Sequence, residues 1–203
     1  MSSGSRPVGV DQPESFTFAP EFADQARAQI EKYPEGRQAS ALCAFLDLAQ
    51  RQSGGWLPQA AMDHVAEMLD VAPIRVYEVA TFYSMFNLAP IGKHHVRVCT
   101  TTPCQLRGSD DLVAACEANL GISIGETSAD GGFSLGEVEC LGACVNAPVL
   151  QIGDDYYEDV DAESASRILD ALKQGEVPGT GPQVTRQTSA PASGPTTLLD
   201  RKG

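Results

Sequence analysis

Four of the six cysteines in this chain fall into two close pairs, Cys99 with Cys104 and Cys140 with Cys144. They lie in Val98-Cys99-Thr100-Thr101-Thr102-Pro103-Cys104 and in Glu139-Cys140-Leu141-Gly142-Ala143-Cys144-Val145-Asn146-Ala147-Pro148. Two pairs spaced C-x4-C and C-x3-C, separated by a segment long enough to fold, make a pocket of four thiolates. Such a pocket suits a [2Fe–2S] cluster or a zinc ion. A cluster takes two thiolates on each iron, so two separate pairs match its stoichiometry. Structural zinc prefers tighter knuckles, often C-x2-C, and both spans here are loose for that. Cysteines that were merely buried or redox-paired would not be expected to gather this way. The spacing therefore favours the cluster and leaves zinc open.

Other residues that could do chemistry have plainer readings. Cys43 and Cys116 occupy core-like helix positions with no cysteine nearby, so both are predicted to be small buried hydrophobes. His94 and His95 precede the first cysteine strand and read as surface residues, since four cysteines already complete the site. His64 falls off the apolar stripe of its helix and is expected in water. Trp56 reads as a packing anchor. Glu78 is expected to pair with Arg75, one helical turn earlier. The run Tyr156-Tyr157-Glu158-Asp159 reads as a strand with its acidic end in water.

The elements that must position the cysteines follow from the pattern. Residues 1–19, rich in Ser, Gly and Pro, are predicted to be a disordered arm. From Pro20 an apolar stripe of Phe22, Ala26, Ile30 and Tyr33 predicts a helix, stopped by Pro34-Glu35-Gly36. Helices over about 38–52 and 58–70 follow, with Leu42, Phe45, Leu46 and Ala49, then Met62, Val65, Ala66 and Leu69, facing inward. Ile74 to Phe86 is apolar nearly all round, which predicts a helix covered on more than one side. Together these form a helical bundle over 20–90. Beyond a Pro- and Gly-containing connector, Val96 and Val98 alternate with His95 and Arg97 and predict a strand running into Cys99. Gly108-Ser109 begins a helix over about 110–120 with Leu112, Ala115, Cys116 and Leu120 inward. Asp130-Gly131-Gly132 signals a tight turn before a strand bearing Leu135 and Val138. A hairpin around Gly153-Asp154-Asp155 and a helix over about 162–174 complete a domain over 91–175. The order strand, helix, strand, strand, strand, helix is that of a thioredoxin-like α/β sandwich. Residues 176–203, with recurring Pro, Gly, Ser and Thr, are predicted to be a flexible tail, in which Leu198-Leu199 is weak evidence for docking. The fold class is thus α+β: an N-terminal helical bundle followed by a thioredoxin-like domain carrying the cysteines.

The 203 residues carry a net charge of −13, which argues against nucleic acid and anionic lipid as partners. No apolar run nears the roughly 18 residues needed to span a bilayer, and the first residues show no secretory signal. These features predict a soluble chain in a reducing compartment, where clustered cysteines more often hold metal than form disulfides. There is no G-x-G-x-x-G after a strand, no G-x-x-x-x-G-K loop, no Ser-His-Asp set and no H-E-x-x-H. A chain with a redox centre and no flavin or nucleotide site cannot accept a hydride from NADH itself. It must exchange electrons with a cofactor on another subunit, which predicts an obligatory partner.

The motifs around the cysteines resemble the 24 kDa-type [2Fe–2S] subunit family (NuoE in bacteria) of the proton-pumping NADH:quinone oxidoreductase, respiratory complex I. The resemblance covers nearly all of 20–174. It is carried by Gly55-Trp56-Leu57-Pro58, the segment from Arg75 to Phe86, both cysteine stretches and Asp130-Gly131-Gly132-Phe133. It implies a thioredoxin-like ferredoxin domain holding one [2Fe–2S] cluster on Cys99, Cys104, Cys140 and Cys144. Gln105 is not implied as a ligand. It also implies a partner subunit that binds FMN and NADH, a neighbouring iron–sulfur subunit, and a place on the cytoplasmic, peripheral arm of the complex at the inner membrane without membrane insertion. In this family the cluster lies off the main electron path and takes one electron from the reduced flavin. The same subunit type serves NAD-reducing hydrogenases and NAD-linked formate dehydrogenases, which the motifs do not exclude. A zinc-bearing scaffold is the alternative of a different class.

Reduction would take such a cluster from −2 to −3, so nearby carboxylates oppose it. One uncompensated charge at ~10 Å acts at about 1.7 kcal/mol with an effective dielectric near 20. Amides donating to sulfur push the other way, and Gly142-Ala143 and Gly108 leave room for them.

Overall fold

The computed structural model describes residues 11–191, 193, 194 and 197. The chain divides into two compact units, Met1–Ile91 and Gly92–Gly203.

The first unit is helical. It contains α1 (Pro20–Ile30), a 3₁₀ turn (Gln38–Ala41) leading into α2 (Leu42–Gln52), α3 (Gln59–Leu69) and α4 (Pro73–Phe82). Pro20 and Pro73 sit in the first turns of α1 and α4, where a missing N–H costs nothing. The apolar stripes of α2 and α3 meet in a core that fully buries Phe45, Leu46, Val65 and Leu69. Each such side chain contributes on the order of 1.5–3 kcal/mol by leaving water.

Four features of this unit depart from the sequence pattern. Residues 11–19 are not a loose arm: Phe16 and Phe18 pack on the core, and the Phe18 ring meets Phe45 edge-on at 6.0 Å. The first ten residues lie outside the described part. His64 is half-buried against Phe16 and Phe18, each ring centroid 5.7 Å away, so it is not solvated as expected. Cys43 is exposed rather than buried, because it lies more than a quarter turn from the centre of the stripe of Phe45, Leu46 and Ala49. Finally, α4 ends at Phe82 rather than Phe86 and fully buries only Val76 and Ala80. Ile74, Phe82, Tyr83 and Met85 remain exposed, Phe82 at 78 %. Glu78 pairs with Arg75 at 2.7 Å on the helix surface, as predicted.

The second unit is a five-stranded sheet ordered β2-β1-β3-β4-β5. Its elements are β1 (His94–Cys99), α5 (Thr102–Leu106), α6 (Ser109–Leu120), β2 (Phe133–Val138), a 3₁₀ turn (Cys144–Asn146), β3 (Val149–Ile152), β4 (Asp155–Glu158), α7 (Ala162–Lys173) and β5 (Gly181–Pro182). β1 runs parallel to β2 and antiparallel to β3, while β3 and β4 form the antiparallel hairpin expected around Gly153. The parallel β1–β2 pair needs a crossover, and α6 supplies it. α6 and α7 bring Leu112, Cys116, Ile168 and Leu169 onto Val96, Val98, Leu135 and Leu150 in one buried core. Cys116 is buried there as predicted, and burial pushes its thiol up to about 12. Asp161 caps α7 by accepting from the Ser164 N–H, and Ser164 returns a bond to the Asp161 N–H. Gly92 is required where the chain meets β2: a Cβ there would lie 2.6 Å from the Phe133 carbonyl carbon.

Two stretches of this unit also differ from expectation. α5 had no counterpart in the sequence pattern. The residues after α7 are not simply a flexible tail, because Gly181 and Pro182 pair with Tyr157 and Glu158 as a parallel fifth strand. Arg186 then forms an ion pair with Asp159 at 2.9 Å, so the acidic end of β4 is covered rather than in water. Leu198-Leu199 lies outside the described residues. Among those residues no helix is long and apolar enough to cross a membrane.

Candidate metal centre

The sheet brings the two cysteine pairs to one edge. Val96 and Val98 anchor β1 in the core and deliver Cys99 at its end, buried to 1 %. Because β1 and β2 are parallel and Cys99 is in register with Val138, the residues just beyond β2 emerge at the same edge. Cys140 is two residues further on. After Thr101 the chain turns into α5, with Pro103 in its first turn, and this short helix carries Cys104 back beneath the strand end. Cys104 is also 1 % exposed. Cys99, Cys104, Ala147 and Val149 form a small buried cluster, with Val138, Leu141, Ala143 and Tyr156 packed against it.

The second pair stands on the loop between β2 and β3. Cys140 and Cys144 are exposed, with their sulfurs 3.3 Å apart. Gly142, at φ +81, turns the loop so that its N–H donates to Cys140 Sγ at 3.4 Å. The left-handed conformation there favours glycine. The Tyr156 hydroxyl donates to the Leu141 carbonyl at 3.2 Å and pins the loop from β4. Asn146, 1 % exposed, ends the 3₁₀ turn.

Electrostatics divides each pair. Burial opposes the Cys99 thiolate, but hydrogen bonds from Thr101, Leu141 and Cys104 outweigh it and lower the Cys99 thiol below its ordinary value. Burial, with the hydrogen bond and charge of Cys99, pushes Cys104 up to about 12. On the loop, the Gly142 N–H lowers Cys140, and the hydrogen bond to Cys140 raises Cys144. Cys99 also acts on Cys140 and on Cys144, and Cys144 on Cys104, so the four thiols form one interacting set.

Thr101 is a candidate site residue that the cysteine motifs alone do not single out. Its hydroxyl lies 3.3 Å from Cys99 Sγ and also lowers Cys140. A hydroxyl side chain inside the C-x4-C span was the available signal. The Gly142 N–H reaches sulfur as anticipated, whereas the Gly108 N–H goes to the Gln105 carbonyl at 3.1 Å. His94 and His95 do not join the thiols in the interactions described. His95 is half-buried rather than on the surface, and burial with the nearby Arg97 charge lowers it to about 4.

Among the described residues no group of three or more His, Cys, Asp or Glu is placed to hold a metal ion. The donor set does fit a [2Fe–2S] cluster: four sulfurs in two pairs, with a backbone N–H already aimed at one of them.

The chain belongs to the thioredoxin-like [2Fe–2S] ferredoxin family, whose pattern matches residues 26–173. It is 55 % identical over 159 residues to the E subunit of the NADH-quinone oxidoreductase of Rickettsia conorii, covering 78 % of this chain and 95 % of that one. It is 49 % identical over 185 residues to the mitochondrial NADH dehydrogenase [ubiquinone] flavoprotein 2 of Dictyostelium discoideum, covering 91 % of this chain and 75 % of that one. Among solved structures, an NAD+-reducing [NiFe]-hydrogenase shares the fold with a TM-score of 0.58 at 20 % identity, over 68 % of this chain and 23 % of that one.

Proposed function

We propose that this chain is the one-electron carrier subunit of the NADH-oxidising module of an NADH:quinone oxidoreductase, with its [2Fe–2S] cluster held by Cys99, Cys104, Cys140 and Cys144. When bound, the cluster supplies one-electron exchange with the FMN of a partner subunit. The observation that carries this reading is the meeting of four interacting thiols at one sheet edge, in a chain more than half identical to the rickettsial relative over nearly all of that relative's length.

This chain's residues have separable tasks. Cys99 and Cys104 provide the buried side of the site and keep water from it. Cys140 and Cys144 provide the exposed side, through which an electron would pass to a neighbouring chain. Thr101 and the Gly142 N–H favour thiolate at Cys99 and Cys140, the form that binds iron. Leu106 and Val145, close to Cys104 and Cys144 in sequence, are 81 % and 65 % exposed, which supports a partner covering this face. That partner is the FMN- and NADH-binding subunit, with an iron–sulfur subunit beside it. The assembly would sit on the cytoplasmic side of the inner membrane, with this chain uninserted.

Purification of the tagged full chain from its native cells tests this. FMN and a further iron–sulfur protein should co-purify, and NADH should reduce the cluster and bring up a [2Fe–2S] EPR signal. A nickel-containing partner would assign the chain to a hydrogenase instead, and a colourless, zinc-loaded chain would end the electron-carrier reading.

A further inference from the structure

The residues after α7 reach back to the loop that carries Cys140 and Cys144. Their path starts at β5, where Gly181 and Pro182 pair with Tyr157 and Glu158 and the Gln183 N–H donates to the Glu158 carbonyl at 2.8 Å. It ends in a polar knot around Asn146, two residues beyond Cys144. Arg186 donates through Nη1 to Asn146 Oδ1 at 3.0 Å and through Nη2 to Asp159 Oδ1 at 2.9 Å. Asn146 Nδ2 donates to the Thr188 carbonyl at 3.1 Å and to Glu158 Oε2. The Asp159 N–H donates to the Asn146 carbonyl, with Asp159 at φ 53. The Arg186 and Asp159 side chains are only 12 % and 6 % exposed.

This is more than a surface ion pair. A buried pair has lost its hydration, so removing one partner strands the other charge. The guanidinium spans two acceptors on different segments, one on the cysteine loop and one at the end of β4, in a fork that lysine cannot copy. The segment that reaches back, 181–188, lies beyond 173, where the family pattern stops, whereas Asn146, Glu158 and Asp159 lie within it.

We infer that residues 181–188 clamp the Cys140–Cys144 loop and that Arg186 is a positioning residue: through Asn146 it holds the turn bearing Cys144, and with Asp159 it sets the charge that a cluster there would feel. The inference rests on Cys144 being a ligand. Its sign follows from charge: reduction adds an electron, which a nearby cation favours and a carboxylate opposes. Arg186→Gln leaves Asp159 uncompensated and should favour the oxidised form. Asp159→Asn leaves Arg186 uncompensated and should favour the reduced form.

The test is an EPR redox titration of the cluster-loaded full chain. At the wild-type midpoint, Arg186→Gln should raise the oxidised-to-reduced ratio at least about threefold. Asp159→Asn should lower it by a similar factor, and the double variant should return within about twofold of wild type. Shifts of the same sign, or none beyond about twofold, would overturn the inference. Should Arg186→Gln fail to load iron, hydrogen exchange on its apo chain decides. Faster exchange at the Asn146 and Ala147 amides, with α7 unchanged, supports the clamp, and unchanged exchange at those two amides refutes it. The ligand reading fails separately, if Cys144→Ala keeps the wild-type signal.

Discussion

Cys99 and Cys104 are each 1 % exposed, while Cys140 and Cys144 stand in water, although the four thiols act on one another. The first pair is held by regular structure: a strand end whose valines are core residues, and a short helix started by Pro103. The second is held by a loop, through the Gly142 N–H, the Tyr156 hydroxyl and the Asn146 knot. A redox site needs both kinds of support. One wall must exclude water and keep its geometry, and the other must let a neighbouring chain come close enough for an electron to tunnel. The contrast predicts that damage to the inner wall removes the centre, whereas damage to the outer wall changes its properties.

The largest test is substitution. Cys104→Ala should leave less than about a tenth of wild-type iron and sulfide, because it removes a proposed ligand where water cannot substitute. Cys140→Ser should keep more than about half of the iron with an altered EPR spectrum, since a hydroxyl on an exposed loop can take the vacant position. Equal losses would erase the inner–outer distinction, and an unchanged Cys140→Ser spectrum would sink its assignment as a ligand.

Thiol reactivity sharpens the same contrast. In the apo chain Cys140 is exposed and lowered, and Cys104 is buried and raised to about 12. Iodoacetamide at neutral pH should therefore modify Cys140 at least about a thousandfold faster, as read by peptide mass spectrometry. Comparable rates would show that the inner wall does not close without its cluster.

The third test concerns the frame of the inner wall. His95 on β1 is lowered from 6.5 to about 4 by burial and by Arg97. Between those values the unfolded chain binds a proton that the folded chain does not, so stability falls as pH drops from 6.5 toward 4. The loss attributable to this group approaches about 3 kcal/mol at the acid end. His95→Gln should flatten the pH dependence of the denaturant midpoint in that window, and an unchanged slope would remove His95 from the account.

Much of this organisation is legible in the sequence, because it rests on local pattern. The alternation of Val96 and Val98, the stripes of α2 and α3 and the hairpin at Gly153 all appear where apolar period and turn residues put them. The cysteine spacing alone left zinc open against the cluster, and the surrounding motifs carried the identification. What the pattern missed is non-local. β5 is two residues long and carries no period, and the Arg186–Asp159 pair spans 27 positions. α5 is too short for a stripe, and only Pro103 announces it. Cys43 was misplaced because a helix position close to an apolar stripe is not inside it.

The end of α4 bears on the life of the chain before assembly. Phe82 and Tyr83 meet edge to face with centroids 4.9 Å apart, and both are exposed. Exposed aromatic groups of this kind are what chaperones and degradative proteases seize. In a subunit of a larger assembly, two such rings would leave an unassembled copy open to quality control until another surface covers them. Production of this chain in excess of its partners would be self-correcting, through turnover of the unassembled copies.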